Sequence, residues 1–497
     1  MLAVFAGVSA WVLALDLWQV VVHGRVWTGT DGLYLVDQMQ YVAWIRDASN
    51  HVLVSNLFVL RSTPADYLMP AVAISGGASA LGVPAWLALL LWKPIAVLAI
   101  FFAMRAYARR MLTGLWARRA ALVLGLFFGS FSLIYGSFGV LDDLLPGFQA
   151  WGYPFGLMGL AALVGALLAH DRARFANRLA WTPGLLGALA SSLHPWQGEL
   201  LILIVVGAEL MLWRRGGRAR VRLMLPALTV TLTAVPLAYY AILARTDISW
   251  RLAREAGSHM FSFAAIALAI APLAVVAAFA FLRRPAGFIA AATRMWPIAA
   301  LILYKLSATA LGVTPLHAFE GITIPLAILA VESVRARGWQ RLAHRRLIGS
   351  LAVAVATIPA TAYALNFARH DVAPKPGTAN FITAAERWAL DYLDSERDPG
   401  GVLTRFYLGS LVPGATGRRT FVGTCVWSTP QCLQRAGLAD QLFGGSLKPR
   451  AARRFVLSTG ARFVLADCRS TADLARTLAP IIHSVRRYGC ASVYALN

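Results

Sequence analysis

At 497 residues, with 58% of them hydrophobic and only 14% charged, the chain falls far short of the roughly 25% charged residues of a soluble domain. Its formal net charge of +23 would suit nucleic acid, but the charge sits in short loops between apolar runs and no stacking platform accompanies it, which speaks against such a partner. The apolar runs, each about 20 residues, recur from Met1 to Asn366 and are long enough to cross about 30 Å of hydrocarbon as helices.

In chain order, Leu2–Val22 is the first expected span. It lacks a basic flank and a small-x-small cleavage site, so it reads as an uncleaved anchor. A long polar loop follows, residues 23–67, and within it Tyr34–Ala48 has helical spacing without Gly or Pro. A helix lying along the membrane interface is expected there. Leu68–Leu81 is apolar but short, holds Gly76 and Gly77, and reads as a half-buried or re-entrant element. Further spans are expected at Ala85–Met104, Ala120–Ser137, Trp151–Ala169, Leu179–Leu193, Glu199–Trp213, Leu223–Leu243, Phe261–Phe281, Trp296–Val313, Ile322–Val334 and Leu347–Asn366, about eleven in all.

Five loops carry arginine clusters: Arg105–Arg119, Arg172–Arg178, Arg214–Arg222, Arg283–Arg294 and Arg335–Arg346. The loops between them are acidic or mixed. Basic residues in alternate loops are the positive-inside signature. With an odd number of spans, the N-terminus and all five clusters are cytoplasmic and the C-terminal region lies outside. Only four lysines stand among the 46 basic residues, a bias that points to a GC-rich bacterial genome and hence to a bacterial plasma membrane.

Past Arg369 the pattern changes. Pro374, Pro376 and Gly377 form a linker, and Thr383–Ser395 reads as an amphipathic helix. Short β-branched or aromatic runs (Val402–Phe406, Thr420–Val422, Phe463–Ala466, Ser492–Leu496) then alternate with helical stretches at Cys432–Phe443, Pro449–Thr459 and Thr471–Leu478. Residues 370–497 are therefore expected to form a small extracytoplasmic α/β domain behind a membrane domain of residues 1–369. The four cysteines, Cys425, Cys432, Cys468 and Cys490, all fall in it. One or two disulfides would persist outside the cytoplasm, with three full pairings open, although buried free thiols are equally compatible.

Several polar residues are placed where chemistry could occur. Asp37 and Tyr41 sit one turn apart on the first-loop helix and share a face. A carboxylate at the membrane surface can act as general base on a hydroxyl, or Asp37 can simply be solvated. Arg46 and His51 stand beside it as substrate-binding candidates. In the second external loop the adjacent carboxylates of Asp142 and Asp143 repel one another unless compensated. They could hold a divalent cation such as Mg or Mn against a phosphate. Two external turns carry His194, Trp196 and Glu199, and His317 and Glu320. Trp196 or Trp151 could stack on a sugar ring while the His and Glu side chains meet its hydroxyls, or Trp196 belongs to the interfacial aromatic belt. Lys93 and Lys305 lie inside expected spans, as does Asp16. Charges there need a partner or a polar cavity, either a lipid-phosphate site or an Asp16–Lys pair.

The Asp37-Gln38-x-x-Tyr41 segment, soon after the first span in a long external loop, resembles the Asp-Glu-x-x-Tyr pattern of the GT-C glycosyltransferase superfamily. It is similar to the protein-mannosyltransferase-like and aminoarabinose-transferase-like branches. Tyr67-Leu68-Met69-Pro70 with its apolar half-span is similar to the Pro-containing interfacial helix before their second span, and an external α/β module resembles that of actinobacterial members. The resemblance implies transfer of a sugar from a polyprenyl-phosphate donor to a cell-envelope glycan, lipid or protein acceptor, with inversion and with Asp37 as base. Gln38 departs from the pattern, since the second acid is absent. The competing readings are a polytopic transporter or lipid flippase, which also needs intramembrane charge, and an inactive envelope scaffold.

Overall fold

The computed structural model describes residues 1–31, 33–134, 136–213, 219–256, 262–307, 315–336 and 344–497. Among them, seven helices are long and apolar enough to cross a bilayer: Ala85–Met111, Pro154–Phe175, Leu223–Thr246, Phe263–Leu282, Phe288–Leu306, Pro315–Ala336 and Arg346–Asp371. The helices Leu2–Ser9 and Trp11–His23, bent by 47°, make an eighth if the pair is one span. The chain is thus a multi-pass helical membrane protein. The Arg214–Arg218 stretch of the third basic cluster and the expected end of a span at Val313 lie outside the described residues.

Three expected spans become shorter helices, Leu115–Phe127, Thr182–Leu193 and Pro195–Met211. At a rise of about 1.5 Å per residue they cover roughly 18 to 26 Å, less than the hydrocarbon core. The first stops because the apolar run turns into a hairpin: Phe131–Ile134 pairs antiparallel with Ser137–Val140, and Gly136 takes the left-handed φ of +85° that the turn requires. A short apolar run reads the same in a span and in a hairpin. The other two are halves of one bend. His194 is extended between them and Pro195 opens the next helix, where its missing N–H costs nothing.

The chain forms two units. One comprises Met1–Trp11, Trp92–Ile242 and Ser258–Ala368. Its helices pack around fully buried Trp296, Tyr107, Phe148 and Phe155. Several of its buried polar groups are paired, as a low-dielectric interior favours. The Tyr107 hydroxyl lies 2.7 Å from Thr293 Oγ1, and Arg110 and Asp171 form an ion pair at 2.7 Å. Glu209 takes both His170 and Arg174, and Arg294 donates to Glu332 and to the Ala280 carbonyl.

The other unit comprises Val12–Leu91, Leu243–Gly257 and Arg369–Asn497. It therefore contains the first polar loop as well as the C-terminal region. A four-stranded sheet runs in the order Val402–Leu403, Phe463–Ala466, Ala491–Leu496, Ile482–Tyr488, the first pair parallel and the others antiparallel. Helices Ala384–Ser395, Phe406–Thr416, Cys432–Phe443 and Pro449–Thr459 complete the small α/β fold. The edge strand Ile482–Tyr488 is mostly exposed and carries His483, Arg486 and Arg487, so its apolar signal is too thin to read. Phe406–Thr416, which contains Gly409, Pro413 and Gly414, is a buried helix. Disulfides Cys425–Cys432 and Cys468–Cys490 select one of the three pairings. The Arg418 guanidinium donates to the carbonyls of Leu393, Glu396, Asp398 and Gly400 and lies over Phe463, so it staples this fold together.

Candidate functional site

The first-loop helix spans Leu35–Ala48 and opens at Tyr34, which takes a left-handed conformation. Asp37 is half-buried in its first turn, where the helix dipole favours an anion. Gln38 turns the other way and is 1% exposed. Its amide donates to the Leu33 carbonyl at 2.6 Å and the Asp31 carbonyl at 3.3 Å, and accepts from the Asp31 N–H at 3.1 Å. The residue that departs from the family pattern is therefore a clamp on the loop that delivers Asp37.

The other first-loop candidates have local tasks. Tyr41 packs edge-on against Trp44. Arg46 donates to Asp394 at 2.6 Å, tying its helix to Ala384–Ser395. His51 is exposed, hydrogen-bonded to the Leu53 carbonyl and 3.5 Å from Asp47. Asp47 is buried and accepts from the N–H and hydroxyl of Ser55.

A feature that sequence spacing did not expose lies in the same unit. Trp44, Tyr67, Trp250 and Trp427 form an aromatic cluster with ring separations from 4.5 to 6.4 Å. Asp66 precedes Tyr67 and shares a hydrogen bond with Asp247, three residues before Trp250. Burial first, and then the like charge of Asp247, push the Asp66 carboxyl above its ordinary value. Residues from three separated segments meet here, so only their types were visible.

In the other unit the structure redistributes the expected roles. Lys93 donates to the Trp151 carbonyl at 2.8 Å, while the Trp151 indole donates to the Val8 carbonyl at 2.7 Å. Trp151 is fully buried against Phe148, so no ring face is open to a sugar. Lys305 is exposed in the last turn of Phe288–Leu306, a helix that starts eight residues earlier than expected. Asp142 and Asp143 sit half-buried in a 3-10 turn whose backbone carbonyls accept from Leu145 and Gln149.

Among the described residues, the trio of His, Cys, Asp or Glu able to converge on a cation is instead His194, His317 and Glu320. One ligand atom from each lies within 4.8 Å of the others. His194 comes from the bend between Thr182–Leu193 and Pro195–Met211, and His317 from the 3-10 turn Pro315–Phe319 just before Glu320. His317 Nδ1 hydrogen-bonds one Glu320 oxygen. The other oxygen is 3.5 Å from His194 Nε2 and 3.4 Å from the amide nitrogen of fully buried Gln197. Those last two contacts are long for hydrogen bonds. His194 Nδ1 and Gln197 Oε1 are buried without a hydrogen-bond partner. Under-satisfied polar atoms around a buried carboxylate are what an ion or water would complete. Two imidazoles and a carboxylate also suit a borderline transition-metal ion better than Mg. Trp196 packs 5.9 Å from the His317 ring, and Glu199 lies one turn further along the same helix, half-buried.

Several solved structures share this architecture. The apo oligosaccharyltransferase of Archaeoglobus fulgidus matches over 96% of this chain and 70% of its own, with a TM-score of 0.59 and 14% identity; the same protein is also known in complex with zinc and sulfate. The mycobacterial arabinofuranosyltransferase AftD matches over 99% of this chain and 41% of its own, at 0.54 and 16%. ArnT from Cupriavidus metallidurans, bound to undecaprenyl phosphate, matches over 99% and 97%, at 0.50 and 14%. No protein-family model and no curated protein matches the chain. The chain has the fold of these membrane glycosyltransferases, the fold that the first-loop motif resembles.

Proposed function

We propose that the chain is a membrane glycosyltransferase that moves a sugar from a polyprenyl-phosphate donor to an acceptor outside the cytoplasm, inverting the anomeric carbon, with Asp37 as general base. The observation that carries this reading is the shared fold with three transferases over nearly the whole chain, one of them bound to undecaprenyl phosphate. Asp37 at the start of the first-loop helix supports its assignment. In the reaction Asp37 takes the proton of the acceptor hydroxyl as its oxygen bonds the anomeric carbon. The bond from that carbon to the phosphate oxygen breaks, and the lipid phosphate leaves with the electron pair. The arginine loops support a cytoplasmic N-terminus. The two disulfides support an oxidising compartment for the C-terminal region.

His194, His317 and Glu320 would hold a divalent cation, in place of Asp142 and Asp143. Such an ion, when bound, supplies positive charge to phosphate oxygens. Trp196 and Glu199 beside it remain candidates for the sugar. The test is a transfer assay with radiolabelled polyprenyl-phospho-sugars in membranes containing the full chain. Asp37→Asn is expected to lower transfer by about 10²–10⁴-fold, the usual contribution of a general base. Undiminished transfer at normal expression would remove Asp37 from the role. Wild-type inactivity across hexose and pentose donors would count against the transferase itself.

A further inference from the structure

A polar cavity of about 510 Å³ lies in the unit containing Trp92–Ile242 and is lined by Arg105, Arg109, Arg110, Asp171 and Arg172, with Phe102 and Leu168 as its apolar wall. Its one carboxylate is already committed. Asp171 Oδ2 takes Arg110 at 2.7 Å, and Oδ1 accepts the Ile289 N–H at 3.2 Å. Arg105, Arg109 and Arg172 have no acidic partner among the described residues. Arg109 and Arg172 sit in the last turns of Trp92–Met111 and Pro154–Phe175, and Arg105 one turn before Arg109. Helix dipoles favour cations there, but two helix ends do not neutralise three guanidinium groups around one cavity.

What leads into the cavity is equally informative. Leu91, Ile95, Leu98 and Phe102 are 54%, 49%, 44% and 50% exposed, although each is large and apolar. With Arg105 and Arg109 they fall at alternating spacings of four and three, so all six share one helix face. From Leu91 to Phe102 that face runs about 16 Å at about 1.5 Å per residue. This is half of the roughly 30 Å hydrocarbon core, the depth of one leaflet. An apolar track one leaflet deep that ends in unpaired guanidinium groups has the charge and length of a phospholipid: acyl chain along the track, phosphate among the arginines.

We propose that this cavity binds the phosphate of an anionic phospholipid, with Arg105, Arg109 and Arg172 as its ligands. Planar guanidinium groups match phosphate oxygens in bidentate fashion, and basic pockets between helices at the cytoplasmic surface recognise acidic headgroups. Which leaflet supplies the lipid rests on the orientation proposed above; the binding does not. Nor does it depend on the transferase reading, so failure of either is seen separately.

The test uses the full-length protein in detergent micelles, with native mass spectrometry reading retained phosphatidylglycerol against phosphatidylcholine. Phosphatidylglycerol is expected to be retained preferentially. Arg105→Gln with Arg109→Gln should weaken that binding roughly 25-fold, at about 1 kcal/mol per arginine. Arg172→Gln, on the other helix, should weaken it roughly fivefold by the same arithmetic and covers the case in which the double variant fails to fold. Exposed Arg178→Gln, on the adjoining loop, should leave it unchanged. Equal retention of the two lipids, or Arg105, Arg109 and Arg172 variants that bind like wild type, would overturn the proposal. So would inorganic phosphate displacing phosphatidylglycerol at equal concentration, which would mark a site for a soluble anion.

Discussion

Gln38 fills the position where the first-loop pattern has an acid, and its side chain explains why the exchange is hard to reverse. Both its donor and its acceptor face backbone at 1% exposure. Gln38→Glu removes a donor from two carbonyls and buries a charge, so it should destabilise the protein by about 1–3 kcal/mol and lower activity by displacing Asp37. A thermal melt alongside the transfer assay checks both. Asp66 gives a pH signature. Its carboxyl titrates above the ordinary carboxylate value because burial and Asp247 disfavour the anion, so the fold prefers the protonated form. Stability from this group is present below the ordinary carboxylate pKa and is lost as pH rises through the raised one. Asp66→Asn should therefore raise Tm at neutral pH and leave it unchanged in acid; a constant difference across the range would dismiss the shifted carboxyl. At the His194, His317 and Glu320 trio, elemental analysis of the purified protein should find about one transition-metal ion per chain, as expected of a three-ligand site. His317→Ala should lose it and Asp142→Ala should not. Residue identity made Asp37, His194, His317 and Glu320 visible in the sequence. The pairing of Arg46 and Trp151 was not legible because their partners, Asp394 and Val8, are distant in the chain.

Elements formed by a long uninterrupted period were legible; those that change period mid-run were not. Leu115–Phe127 and the hairpin after it carry one continuous apolar signal, and only Gly136 hints at the turn. Thr182–Leu193 and Pro195–Met211 were expected as helices, but their closeness was hidden in Gly198. A Cβ there would lie 1.9 Å from Ser191 Oγ, so the two helices meet at a point only a glycine admits. Gly198→Ala should cost about 1–3 kcal/mol through overpacking. Because His194 sits in the bend between these helices, it should also release the ion without touching a ligand. A variant that melts lower yet keeps full metal content would separate the packing from the site.

For the whole molecule, the membrane architecture was legible because hydropathy and arginine position act over twenty residues at a time. The grouping of the first loop with the C-terminal region was not, because it depends on contacts across more than 300 residues of sequence. The two disulfides belong to this scale. Closing sequence separations of 22 and 7, they should contribute roughly 3 and roughly 2 kcal/mol through loop entropy. Denaturant melts of Cys468→Ser/Cys490→Ser against Cys425→Ser/Cys432→Ser would test that order. The helix carrying Asp37 rests its Val42 against Gly414, where a Cβ would come within 2.7 Å, and ends in the Arg46–Asp394 pair. A clone stopped at residue 369 would keep the long apolar helices almost whole and still deprive the Asp37 helix of a floor. The segment after residue 369 is thus the mould in which the first-loop helix is cast, and supplying it in trans should restore what truncation takes away.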